Sequence, residues 1–236
     1  MIKKHSLEPE SQLMLRDNLK QKGGSNRDVF SGIYESQCWG QALGNRYYSG
    51  AGSRDEEIIR PYIDFLISFI KANAIKTITE IGCGDFFIME KVLDAVPYVT
   101  YFGLDVADGL IQYNNEKYGN SRISFFQADA TDINCIIPHA ELLIIRQVLQ
   151  HLDNASISLI LNRTSDYKYT LLTEHLSDRD DYVPNLDKPT GANIRLAMNS
   201  GVYVEDAPFL YTNIVHLFSV KANAGVIRTS LLVNFK

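Results

Sequence analysis

Two glycines one residue apart, set directly behind an apolar strand and an acid, are the first residues in this chain whose types and spacing could do chemistry. They lie in TITEIGCGDFF, Thr77 to Phe87, as Glu80-Ile81-Gly82-Cys83-Gly84-Asp85. Glycines without Cβ atoms let a ligand lie against the backbone and tolerate positive φ. The next apolar run ends YFGLDV, which puts Asp105 about twenty residues beyond the glycines, the interval at which a carboxylate accepts both hydroxyls of a ribose. The pair points to an adenosine-bearing cofactor, although a strand-to-helix turn with an incidental acid would look alike locally. A dinucleotide would want a third small residue, and Phe87 holds that position, which disfavours NAD.

Two histidines could move a proton. His151 lies in LLIIRQVLQHLDN with Gln147 one helical turn before it, and His175 closes LLTEHL beside Glu174. An imidazole at either place suits a general base acting on a hydroxyl, and a satisfied structural histidine or cap is the alternative for each.

The elements that must hold these residues alternate. Asp55 to Ala74 carries Ile58, Ile59, Tyr62, Ile63, Leu66, Phe69 and Ile70 at helical spacing, with Pro61 acceptable if the regular helix starts near it. Strands are predicted over 76–81, 100–105, 123–127, 142–145 and 169–173, with helices over 88–96, 110–117 and 155–163 between them. Such alternation argues for an α/β fold with a parallel sheet and helices on both faces. Residues 212–220 and 225–235, joined across KANA, read as a C-terminal antiparallel hairpin. Residues 1–27 read as a polar arm or short helix, and the aromatic, glycine-rich stretch from Val29 to Ser53 has no clean period. It reads as a segment that packs or binds without regular structure.

Composition narrows the classes. The chain has 236 residues, 45% of them hydrophobic, and a formal net charge of -5. That suffices for one domain with a decorated edge. No Lys/Arg-rich run argues for nucleic acid, and no apolar run approaches the length of a membrane span. Cys38, Cys83 and Cys135 have neither disulfide-framework nor zinc spacing, which fits a reducing, cytoplasmic setting.

With Glu80-x-Gly82-x-Gly84, Asp105 ending the second strand, Asp129-Ala130 after the third and the final hairpin, residues 55–236 resemble a class I S-adenosylmethionine-dependent methyltransferase. The resemblance implies a Rossmann-like, seven-stranded, mostly parallel sheet. It places Gly82 and Gly84 under the amino-acid part of S-adenosyl-L-methionine, with Glu80 ordering that loop. Asp105 would take the ribose hydroxyls, Val106 would pack on adenine, and Asp129 would face the adenine amino group beside the Ala130 backbone. Arg146 and Ser53 complete the expected cofactor contacts. Trp39-Gly40, SGAGS (49–53) and SGVY (200–203) further resemble small bacterial methyltransferases of surface-glycan biosynthesis, many of which carry an acid where this chain has Gln147. SGAGS precedes a helix start suited to a carboxylate or phosphate, and a flexible linker is the alternative.

The expected function is O-methylation of a small molecule, a sugar or another precursor of a surface polysaccharide, phosphorylated or nucleotide-activated. Alternatives are an N- or carboxyl-methyltransferase, a non-catalytic cofactor-binding subunit, or an NAD-dependent oxidoreductase. His175 and His151 are the candidate catalytic groups. Trp39, Glu174, Arg195 and Tyr203 are the candidate acceptor contacts, Arg195 for an anionic group. Residues 1–54 are expected to cap the site, and the long polar segment 176–210 to form an acceptor lid. Asp187 lacks a second acid pair to join His175, and no metal is predicted.

Overall fold

The computed structural model describes residues 24–42 and 44–233. Helix α1 (Asn26–Glu35) precedes α2 (Glu56–Ala72). Then β1 (Thr77–Ile81), α3 (Phe87–Ala95), β2 (Thr100–Asp105), α4 (Asp108–Tyr118) and β3 (Ile123–Gln127) alternate. They are followed by β4 (Leu142–Arg146), α5 (Asn154–Arg163), β5 (Tyr169–Leu176), β6 (Ile214–Ala222) and β7 (Gly225–Val233). The seven strands form one sheet in the order β3-β2-β1-β4-β5-β7-β6. Pairing is parallel from β3 through β5, and β7 runs antiparallel to both β5 and β6. The α/β reading, the mostly parallel sheet and the closing hairpin are therefore present.

Strand order reverses between β1 and β4, and a crevice opens beyond the carboxyl ends of strands on either side of such a point. Burial of both faces fixes the register. Leu142 and Ile144 of β4 pack with Ile59, Leu66 and Ile70 of α2 and Val92 of α3, whereas Leu143 and Ile145 pack with Ile157 and Ile160 of α5. Each such side chain contributes about 1.5–3 kcal/mol on burial, and a one-residue slip would exchange the faces. Asp55 caps α2 by accepting from the Glu57 N–H, so the helix starts a turn before Pro61 instead of near it.

The sequence reading missed α1. Ser25 and Asp28 form a reciprocal capping box, which starts a helix through residues taken for irregular chain. The rest of the predicted N-terminal arm, residues 1–23, lies outside the described residues. No helix among those described is long and apolar enough to cross a membrane.

Candidate active site

The turn after β1 has both glycines at positive φ, 72° at Gly82 and 54° at Gly84. A Cβ on Gly82 would stand 2.3 Å from Val148 Cγ2, and one on Gly84 2.5 Å from Ser49 Oγ. The space the missing Cβ atoms leave is thus filled by the protein, while both glycines still line a cleft of about 140 Å³. Asp105, and not Glu80, orders this loop. Its Oδ2 accepts from the Gly84 N–H at 3.2 Å and its Oδ1 from the Ala107 N–H at 3.1 Å. Burial raises its pKa to about 6, opposed by these N–H donors. Glu80 instead accepts from the Tyr101 hydroxyl, and burial pushes its carboxyl up to about 8.

SGAGS is pinned, not loose. Ser49 and Asp85 exchange hydrogen bonds, Ser49 N–H to Asp85 Oδ2 at 3.1 Å and Asp85 N–H to Ser49 Oγ at 2.9 Å. Arg54 joins Asp85 at 2.6 Å and lies over the Phe87 ring. The strap therefore binds the glycine turn. From β4, Arg146 donates to the Gly52 carbonyl at 2.8 Å and to Ser53 Oγ at 3.4 Å, and burial lowers its pKa. Val106, Asp129, Ala130, Arg146 and Ser53 all border the cleft, with Asn26, Phe30, Tyr34 and Trp39 from the N-terminal segment.

Beyond β4 the chain enters the left-handed region at Gln147, φ 54°, a strained conformation for a side chain of this size. The following turn is gripped from two sides. Glu174 accepts the N–H groups of Val148, Leu149 and Gln150 at 3.2, 2.9 and 3.0 Å. Arg195, only 1% exposed, donates to the carbonyls of Leu149, Gln150 and Leu152 and to Leu186 O and Asn154 Oδ1. Neither side chain faces the cavity, which corrects their expected role as acceptor contacts. Tyr203 is corrected likewise: it is buried, stacked on Tyr182 with ring centroids 4.5 Å apart, and donates to Ser177 O. The segment beyond β5 is held inward by such contacts, and Asp187 accepts from the Asn154 N–H.

What the grip presents is His151. Its Nδ1 is 3.2 Å from the Gly191 carbonyl, which can only accept, so Nδ1 carries the proton and Nε2 the lone pair, toward which the Gln150 amide donates at 3.4 Å. Burial lowers its pKa to about 4 and keeps the ring neutral near pH 7. Trp39, anchored by its Nε1–H to Ala192 O, packs against the imidazole with centroids 5.1 Å apart. His151, Gln147, Trp39 and Ser49 border both the cleft and a second, larger cavity of about 790 Å³. His175 lies on that outer cavity alone, away from the cleft, and burial lowers its pKa. Ala192, Asn193 and Ile194 are the part of segment 176–210 that reaches this cavity, and its charged lining comprises Asp55, Glu57 and Lys221. Among the described residues no cluster of three His, Cys, Asp or Glu side chains could hold a metal ion.

No protein-family model matches the sequence, and no curated relative does. Solved structures do match. An N-methyltransferase from Bradyrhizobium japonicum, in complex with S-adenosyl-L-homocysteine, superposes with a TM-score of 0.60 at 13% identity, over 87% of this chain and 100% of its own. The fold is that of class I methyltransferases. Human N-acetylserotonin methyltransferase, in complex with S-adenosylmethionine, matches over 98% of this chain and 68% of its own at 14% identity and a TM-score of 0.53. Magnesium protoporphyrin IX methyltransferase from Synechocystis, with bound S-adenosylhomocysteine, matches over 95% of this chain and 99% of its own, with 14% identity and a TM-score of 0.53. Within this methyltransferase fold, sequence reasoning missed Asn26 and the tie between Ser49 and Asp85. The capping box was the available signal for the first, and the exchange between the other two spans too many residues to show as a local pattern.

Proposed function

We propose that this chain is an S-adenosylmethionine-dependent methyltransferase acting on a hydroxyl of a small acceptor. The observation that carries the reading is the meeting of two spaces at His151: the cleft bounded by the glycine turn and Asp105, and the outer cavity. The cleft residues fit an adenosine cofactor. Asp105 offers a carboxylate at the end of β2, Val106 an apolar edge beside it, and Asp129 a further acceptor beyond the end of the neighbouring β3. When bound, the cofactor supplies a methyl group on a sulfonium for in-line displacement by the acceptor.

The chain's own work is then alignment and proton removal. His151, neutral and with its lone pair on Nε2, accepts the hydroxyl proton, and Trp39 and Phe30 keep water from the imidazole. Glu174 and Arg195 fix the turn that carries it. A neutral base favours a hydroxyl acceptor over an amine, which needs less help. His175 contacts the acceptor from the outer wall.

The narrower reading, a sugar or related precursor of surface polysaccharide, rests on the resemblance carried by Trp39-Gly40 and SGAGS. Trp39 offers such an acceptor a flat apolar face. A phosphate on it would meet Lys221, with Asp55 and Glu57 elsewhere on the lining.

Calorimetric titration with S-adenosylhomocysteine, and separately with NAD, tests the donor. The first should bind, and Asp105→Ala should weaken it at least about tenfold, roughly 1.4 kcal/mol. Binding of NAD alone would overturn the reading.

A further inference from the structure

Helix α1 touches the cleft through one side chain whose hydrogen bonds are incompletely used. Asn26 Nδ2 donates to Asp129 Oδ2 at 3.1 Å, to its Oδ1 at 3.3 Å and to Thr131 Oγ1 at 3.0 Å. Asp129 Oδ1 also accepts from the Thr131 N–H at 2.9 Å and the Thr131 hydroxyl at 2.7 Å. The two oxygens of Asp129 are thus unequal: Oδ1 is crowded with donors, while Oδ2 accepts from Asn26 alone. Among the described residues no donor reaches Asn26 Oδ1. Asn26, Asp129 and Val106 all border the cleft, and the chain entering Asp129 is tied to that around Val106, through the Ala128 N–H to Asp105 O and the Gln127 amide to Val106 O.

We propose that Asn26 is a specificity-determining residue that reads the 6-amino group of the adenine ring jointly with Asp129. The inference rests on the adenosine-cofactor reading above. An exocyclic amine has two N–H donors, and this corner offers two acceptors with lone pairs to spare: Asp129 Oδ2, which accepts from Asn26 alone, and Asn26 Oδ1, which no donor among the described residues reaches. A 6-oxo purine would set an acceptor against both and leave them unpaired, so the corner discriminates by repulsion as well as attraction. Asn26 is the first residue of α1, and Arg27 beside it pairs with Asp108 at the start of α4. Filling the corner therefore also fastens α1 over the cleft.

The test compares S-adenosylhomocysteine with S-inosylhomocysteine, its 6-oxo analogue, by calorimetry on wild type and Asn26→Ala. Wild type should prefer the adenosine ligand by at least about tenfold. Asn26→Ala should weaken that ligand several-fold and shrink the preference, which a merely structural residue would not do. Hydrogen exchange adds a second readout: amides of residues 29–35 should slow when the adenosine ligand binds wild type, and slow less in the variant. An unchanged preference in Asn26→Ala, with wild type binding normally, would overturn the role of Asn26. Wild type that binds neither ligand would instead overturn the adenosine reading itself.

Discussion

The cleft beside β1 and β2 and the region beyond β4 use polar side chains in opposite ways. In the cleft, Asp105, Asp129 and Arg146 hold nearby chain and still border open space. Beyond β4, Glu174, Arg195 and Tyr203 spend their hydrogen bonds mainly on main chain and border neither the cleft nor the outer cavity. The difference teaches that a charged residue near a site is evidence of chemistry only if its donors or acceptors are left over. Buried Arg195 is surrounded by carbonyls because a buried guanidinium without partners would cost several kcal/mol.

The comparison can be broken most severely at His151. His151→Asn should lower kcat by about a hundredfold to ten-thousandfold while leaving S-adenosylhomocysteine affinity within a few-fold, measured by steady-state kinetics and calorimetry. A fall in affinity with kcat intact would move the residue into the cofactor half. Arg195→Ala should cost about 3–5 kcal/mol of folding stability in a urea titration, because it strips partners from buried carbonyls. An acceptor-binding arginine would change KM and leave the denaturation midpoint where it was.

Glu80 sharpens the contrast through pH. Its folded pKa, about 8, lies above the ordinary 4.5, so the native state holds a proton that the unfolded chain has released. Its contribution is complete below pH 4.5 and is lost as pH rises toward about 8. Between pH 7 and 8, where His151 is neutral in the fold and has lost most of its proton in the unfolded chain, the melting temperature should fall, and Glu80→Gln should flatten that fall. The smallest effect belongs to His175→Ala, which should raise KM for the acceptor several-fold with little change in kcat, since the imidazole borders the outer cavity alone.

The half of the site that sequence exposed was the half made by local pattern. A glycine turn ending one strand and an acid ending the next are fixed by adjacency in the sheet, where Gly103 of β2 lies beside Glu80 of β1. Strand and helix periods likewise gave the seven-stranded order's components before any contact was known. The acceptor half depends on contacts across long separations. Arg195 meets the turn at 149–152, and Glu174 meets it from β5. Neither separation leaves a period to read. His175 looked comparable to His151 because one ends the fifth strand and the other follows the fourth, and only the turn at Gln147 shows which one borders the cleft.

A crystal structure of the protein with S-adenosylhomocysteine bound tests the central claim most directly. The account predicts the ribose hydroxyls on Asp105 and the sulfur, the atom that carries the methyl group in the donor, directed at the boundary between cleft and cavity beside His151. A sulfur turned away from His151, or a ribose held by groups other than Asp105, would contradict it.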